Sequence, residues 1–195
     1  MARERVRCWN TDNPLLIKYH DEEWGTPLHD DDKLFEFIVL DGFQAGLTWE
    51  LILKRREALR EAFEGFHIGK VAGYSEKDVE RLMASRGMIK NRLKISAAII
   101  NAKKALEVQR EHGSFDSYLW EFTGGKTIHN SYRELSEMPS ESEDSRRMSQ
   151  ALRKRGFKFV GPTICYAFMQ AAGLVNDHLT RCFRYEELSK ERDTK

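Results

Sequence analysis

The sequence predicts an all-α protein. Apolar residues recur at helical spacing along most of the chain, alternating runs rich in Val, Ile and Thr are missing, and helix-start signals stand where the periodicity begins. The first clear helix covers residues 30–43, where Leu34, Phe37, Ile38 and Asp41 fall on one face. The same periodicity marks 48–63 and 75–85, the latter opened by Ser75-Glu76-Lys77-Asp78, a capping-box pattern with Asp in the Glu/Gln place. Residues 91–111 and 115–122 follow, then a polar stretch with the loop-favouring Met138-Pro139-Ser140. The last two helices are 145–155 and 162–172, with Pro162 suited to a first helical turn.

Composition bounds the function. With 195 residues, 41% hydrophobic and 32% charged, the chain can close a core in one domain or two small lobes, which excludes a disordered chain or a mini-protein. Apolar runs stay far below the roughly 18 residues of a membrane span, and the charged start has no hydrophobic stretch behind it, so a soluble, cytoplasmic protein is expected. Thirty-two basic against 31 acidic residues leave no global attraction to polyanions, and any nucleic-acid contact must come from local patches. Three scattered cysteines, Cys8, Cys165 and Cys182, point to reduced thiols and leave metal binding open. The acidic stretch 134–144 reads as a solvated loop or helix start, and residues 187–195 as a frayed polar tail.

Three constellations could carry chemistry. Cys8 and His20 lie near one end, while His178 and Cys182 stand at i and i+4 near the other, a spacing that on a helix faces both the same way and can present a nitrogen and a sulfur to one tetrahedral ion. On spacing alone the same residues also fit a satisfied core histidine beside an inert buried cysteine. If the ends meet, a metal would close a loop of roughly 160 residues and, with four protein ligands, would be structural. The second constellation is Leu152-Arg153-Lys154-Arg155-Gly156-Phe157-Lys158-Phe159-Val160-Gly161-Pro162-Thr163. Gly156 and Gly161 bracket a turn whose following helix offers the N–H groups of Gly161 and Thr163 to an anion beside Arg153, Lys154, Arg155 and Lys158. Arg146 and Arg147 extend this basic run, Arg86, Lys90, Arg92 and Lys94 form another, and a solvated helical hairpin is the bland alternative. The third is Asp41, a carboxylate on an apolar helix face, close in sequence to Gln44-Ala45-Gly46-Leu47-Thr48-Trp49 and in the same half of the chain as Trp9, Tyr19 and Trp24. Burial there raises a carboxyl pKa, and such conflicts concentrate at functional sites.

These residues resemble a known family. Arg7-Cys8-Trp9, Tyr19-His20-Asp21-Glu22-Glu23-Trp24-Gly25, Gln44-Ala45-Gly46-Leu47-Thr48-Trp49, Arg155-Gly156-Phe157-Lys158-Phe159-Val160-Gly161 and Gly173-Leu174-Val175-Asn176-Asp177-His178 are similar, in order, to motifs of the bacterial 3-methyladenine DNA glycosylase I family, within the helix-hairpin-helix glycosylases. The resemblance implies a two-lobed all-helical fold with one structural zinc ion on Cys8, His20, His178 and Cys182, tying the two ends of the chain. It implies that Tyr19 and Trp49 stack on an extruded base, that Trp9 and Trp24 line the pocket, that Asp41 recognises the base, and that Leu47 fills the gap in the duplex. Phosphate anchoring falls to Gly156, Lys158, Gly161 and Thr163. The implied activity is hydrolytic release of 3-methyladenine from double-stranded alkylated DNA by a monomer without lyase activity; altered lesion specificity and a non-catalytic damage binder are the alternatives.

Three departures from the family pattern stand out. Asp41 replaces the usual Glu and withdraws the carboxylate by about 1.5 Å. Leu16 stands where Tyr is frequent, and the Cys8 to His20 spacing is one residue short. The wider superfamily often places a catalytic Asp just after the hairpin, in a Val-Asp-x-His pattern, and the similar stretch here is Val175-Asn176-Asp177-His178. Here Asn176 holds that place, and an amide cannot be a general base.

Overall fold

In a computed structural model, residues 5–190 are described. Among them are ten α-helices: α1 (Pro14–Glu22), α2 (Asp31–Gln44), α3 (Trp49–Ala62), α4 (Ile68–Ala72), α5 (Glu76–Ala84), α6 (Arg92–His112), α7 (Phe115–Trp120), α8 (Glu143–Lys154), α9 (Pro162–Ala171) and α10 (Phe183–Lys190). The seven helices expected from periodicity are present with ends shifted by at most two residues, the all-α class holds, and Asp78 accepts from the Ser75 backbone N–H (2.9 Å), as the box pattern requires, and also from the Ser75 hydroxyl (3.0 Å).

The differences have local causes. Helix α1 carries no acidic first turn and is started by the Asn13 side chain, which accepts from Leu15 N–H (3.0 Å), with Pro14 behind it. Helix α4 spans five residues, too few for a periodic signal. Helix α10 includes Glu187–Lys190 of the segment expected to fray, because Leu188 is buried and Ser189 bonds back to the Tyr185 carbonyl (2.7 Å); residues 191–195 lie outside the described residues. Two two-residue strands, β1 (Ile128–His129) and β2 (Val175–Asn176), pair in parallel with Ile128 opposite Val175. Runs this short leave no alternating pattern to read.

Helix α2 is the centre of the molecule. Every residue from Leu34 to Phe43 is buried, and the helix packs against α3, α6, α7 and α9. Burial on all faces brings two carboxylates inside. Glu36 is met by Arg56 (2.6 Å) and Arg60 (2.8 Å) of α3, and Arg56 also reaches Glu23 beyond α1 (2.6 Å), so one guanidinium ties α1, α2 and α3. Asp41, on the same helix, receives no such partner. The exit of α1 is fixed to the exit of α9 by Gly25 N–H on the Gln170 carbonyl (2.8 Å) and Leu28 N–H on the Ala172 carbonyl (3.1 Å). Gly173 is required at this crossing: its φ is +73°, and a Cβ would sit 2.4 Å from the backbone of Thr26 and Pro27. Among the described residues no helix is long and apolar enough to cross a membrane.

Candidate functional site

Helices α1, α2, α3 and α9 enclose a cleft of about 530 Å³. Its walls are aromatic: Trp9 before α1, Tyr19 in α1, Trp24 after it and Trp49 at the start of α3. Trp9 lies nearly parallel to Tyr19 (centroids 6.3 Å apart, 15° between planes) and tilted against Trp24 (5.0 Å). Tyr19 and Trp49 contact each other at 5.2 Å and 54°. A flat ring sandwiched between two others needs about 7 Å, twice the contact distance, so a base would meet these two rings on their open sides or part them. All four aromatic residues singled out in the sequence therefore converge on one cleft, as do Asp41 and Leu16.

Asp41 lies in the last turn of α2 and faces into this cleft. Its side chain is 3% exposed, and Oδ2 has no hydrogen-bond partner among the described residues. Burial alone holds its pKa well above the usual carboxylate range. The indole Nε1–H of Trp49 is likewise buried without a partner. An acceptor and a donor thus stand unmet in one aromatic cavity, which native proteins avoid unless a ligand or water completes them. Burial, with the negative charge of Asp41 next in effect, pushes the Tyr19 phenol up and keeps it neutral.

From the Asp41 end of α2 the chain turns through Gly46 (φ +78°) to Leu47, whose side chain is 37% exposed, and then into α3, capped by Thr48. The loop is short and fastened: Leu47 N–H bonds the Gln44 carbonyl (2.6 Å), and Lys94 of α6 donates to the carbonyls of Phe43 (2.8 Å) and Ala45 (2.6 Å). Lys94, which in the sequence belongs to the basic run with Arg86, Lys90 and Arg92 and reads as surface charge, is instead buried, and its ammonium caps the C-terminus of α2. Arg92 from the same patch pairs with Glu76 and Glu80.

The two chain ends do meet, but His178 and Cys182 stand in the irregular segment and turn before α10 and not on one helix, so the fold of that turn, and not helical spacing, brings them together. Cys8, His20, His178 and Cys182 are all buried, with their ligand atoms within 4.8 Å of one another. The sulfur–nitrogen separations are 3.4 Å (Cys8 to His178), 3.5 Å (Cys182 to His178) and 3.5 Å (Cys182 to His20). The edge of a tetrahedron with ordinary zinc–sulfur and zinc–nitrogen lengths is about 3.6 Å. Nε2–H of His178 donates to the Trp24 carbonyl (2.8 Å), which leaves Nδ1 toward both sulfurs, and Nδ1–H of His20 donates to Asp21 (2.8 Å), which leaves Nε2 toward Cys182, where it also accepts from the Cys8 backbone N–H (3.2 Å). Arg7 grips Asp21 with two nitrogens (2.8 and 2.6 Å). The hydrogen bond between the thiols pushes the pKa of Cys8 up and that of Cys182 down, which makes Cys182 the readier thiolate. This group can hold a metal ion, and the shortened Cys8 to His20 spacing does not prevent it. The third cysteine, Cys165, is a buried thiol pushed up to about 12 by burial.

Residues 155–161 form the turn between α8 and α9. Gly156 (φ +94°) ends α8: its N–H bonds the Arg153 carbonyl (2.9 Å) and Phe157 N–H bonds Leu152 (3.0 Å), the two bonds of a Schellman ending. Gly161 and Thr163 stand in the first turn of α9, where N–H groups precede the helical ladder, and Lys158 is exposed at the turn. Arg155 leaves the expected basic cluster, because Glu111 (2.6 Å), His112 and the Tyr118 ring engage it on the far side. Arg146 and Arg147 are paired with Glu141 (2.9 Å) and Asp144 (3.1 Å).

Comparison with known proteins decides what this arrangement belongs to. The methyladenine glycosylase family matches residues 9–185. The chain is a member of that family. It is 48% identical over 180 residues to the DNA-3-methyladenine glycosylase 1 of Escherichia coli K12, covering 92% of this chain and 96% of that one. It is 45% identical over 178 residues to the DNA-3-methyladenine glycosylase of Haemophilus influenzae, covering 91% and 96%. The solved 3-methyladenine DNA glycosylase I of Staphylococcus aureus, a structure describing 3-methyladenine recognition, superposes with a TM-score of 0.88 at 36% identity over 90% of this chain and 94% of that one.

In this methyladenine glycosylase, Asn176 is fully buried and its amide bonds His129 (3.2 Å). The neighbouring Asp177 accepts from Asn130 (2.7 Å), Tyr166 (2.7 Å) and Gln170 (2.8 Å). An amide and a fully engaged carboxylate leave no free base at this motif. Asp177 instead ties the β1 side of the molecule to α9 and fixes Gln170, a cleft residue that the sequence does not single out. Gln44 and Met138 also line the cleft. Met138 arrives from a loop far along the chain, and nothing in its local sequence could have placed it.

Proposed function

We propose that this protein is a monofunctional DNA-3-methyladenine glycosylase. The unmet Asp41 carboxylate at the bottom of an aromatic cleft carries the reading. An enzyme acting on a base must take it out of the stack and hold it against π-faces. A 3-methylated adenine still joined to its sugar is cationic, so each ring face that meets it adds about 0.5–2 kcal/mol of attraction, and Asp41 supplies a buried negative partner and hydrogen-bond acceptor.

The reaction asks little more of the protein. The bond between sugar carbon and base nitrogen breaks, its electron pair neutralises the base, and water adds to the sugar carbon and gives its proton to solvent. The DNA phosphates stabilise the positive sugar that develops. With Asn176 in place of a carboxylate and no lysine at the turn's Schiff-base position, the product is the free base and an abasic site, with no strand cleavage.

In this reading Tyr19 and Trp49 take the base, Trp9 and Trp24 complete the pocket, and Leu47 fills the vacated place in double-stranded alkylated DNA. Gly156, Lys158, Gly161 and Thr163 anchor phosphates. One zinc ion on Cys8, His20, His178 and Cys182 is structural, since four protein ligands leave no open position. The protein acts as a monomer in the cytoplasm.

The test is chromatography of bases released from methylated DNA by the purified protein beside Asp41→Glu. Release of 3-methyladenine by the wild type is expected, with the longer carboxylate altering its efficiency. No release by the wild type together with release by Asp41→Glu would mean that Asp41 and Leu16 have turned the cleft to another lesion. For the phosphate anchor, Lys158→Ala should lower the slope of log affinity against log salt by about 1 and weaken all duplex sequences alike; an unchanged slope removes Lys158 from the contact.

A further inference from the structure

Helix α6 gives no residue to the cleft or to the metal ligands, yet it holds both loops assigned to DNA. Lys94 in its first turn ties the Leu47 loop through the carbonyls of Phe43 and Ala45. Two turns on, Asn101 clamps the α8–α9 turn: its Oδ1 accepts from Lys158 N–H (2.7 Å) and its Nδ2 donates to the Lys158 carbonyl (3.0 Å). Positions seven apart share a helix face and are separated along the axis by about 10.5 Å. Both side chains are buried, at 8% and 3% exposure. The α8–α9 turn also lies directly against α2, the helix that leads into the Leu47 loop, since a Cβ on Gly42 would lie 3.3 Å from the Cβ of Phe159, and the void left among Gly42, Phe43, Lys94, Asn101 and Phe159 is only about 10 Å³.

We propose that α6 is a rigid spacer that sets the distance between the Leu47 loop and the α8–α9 turn, with Lys94 and Asn101 as positioning residues for base extrusion. The proposal rests on the reading of both loops as DNA contacts. A duplex held at its phosphates by one loop is opened by the other only if the two act at a fixed spacing. Each tie is made to backbone, so it fixes where the loop runs whichever side chains the loop carries. The donors suit the job: the Lys94 ammonium serves two carbonyls at once, and the Asn101 amide satisfies both the N–H and the C=O of one residue.

The experiment compares wild type, Lys94→Met, Asn101→Leu and Asn101→Asp, the last keeping the acceptor for Lys158 N–H but losing the donor. Single-turnover release from methylated duplex and binding of free 3-methyladenine, followed by tryptophan fluorescence, are measured together. Duplex release should fall by about tenfold or more in Lys94→Met and Asn101→Leu, the order of loss expected from an ångström-scale misplacement, and less in Asn101→Asp. Free-base affinity should stay within about twofold, because the cleft itself is untouched. Equal losses in both measurements would show that the residues only maintain the fold, and unchanged duplex release would show that the spacing does not matter; either overturns the proposal. Wild-type protein that releases no base from duplex would fail the functional reading instead.

Discussion

Asp41→Asn is expected to lower base release from methylated duplex by about a hundredfold or more, the usual order for removing one preorganised electrostatic partner of a developing charge change, while making the protein more stable. The two effects share one cause. Asp41 is buried with no partner for Oδ2, so its ionised form is costly until a cation enters the cleft. A carboxyl whose folded pKa is raised contributes its full stability below its unfolded pKa of about 3.9 and loses it as pH rises toward the folded value. Asparagine has no such loss. Melting temperatures of the two proteins should therefore converge in acid and separate as pH rises, by about 2–4 °C for each kcal/mol recovered in a chain of this size. Duplex affinity, carried mainly by phosphates, should change far less than release. Equal loss of binding and release, or a variant less stable at pH 8, would contradict this role of Asp41.

The largest change in stability is expected at the Cys/His group. Elemental analysis of wild-type protein should find one zinc ion per chain, and Cys182→Ala should lose the metal and unfold near ambient temperature. A structural zinc site is worth on the order of 10–16 kcal/mol at neutral pH, against about 5–15 kcal/mol of total stability for an ordinary domain, so the rest of the core cannot offset the loss. A strong chelator should have the same effect on the wild type. Metal-free protein with an unchanged melting curve would show that these four residues are an ordinary hydrogen-bonded cluster.

The helices that carry the cleft were legible because periodicity is a local property: 30–43 and 48–63 emerge as α2 and α3 with ends shifted by one residue. Asp41 was legible for the same reason, as a charge on an apolar face. What was not legible is long-range and made of polar groups. Lys94 reads as surface charge in any window of sequence, and only the fold shows that its ammonium reaches two carbonyls about fifty residues away. Arg155 reads as part of a basic run until Glu111 and Tyr118 are brought beside it. Asn101 has no sequence signal at all, since its partners are the backbone atoms of Lys158. The metal-ligand set occupies a middle position: the right residue types were visible, while the meeting of the ends required the fold.

That meeting has a consequence for how the protein is made. Trp9, Tyr19 and Trp24 stand within a few residues of Cys8 and His20, and the Trp24 carbonyl is held by His178 itself. These walls of the cleft thus leave the ribosome roughly 160–170 residues ahead of Cys182, and His178, which holds the Trp24 carbonyl, comes only just before it. Synthesis proceeds at about 5–20 residues per second, so for roughly 8–35 s the nascent chain carries this aromatic surface without the frame that shapes it. A chain broken off before residue 178 lacks both late members of the Cys/His group and the hold that His178 has on the Trp24 carbonyl.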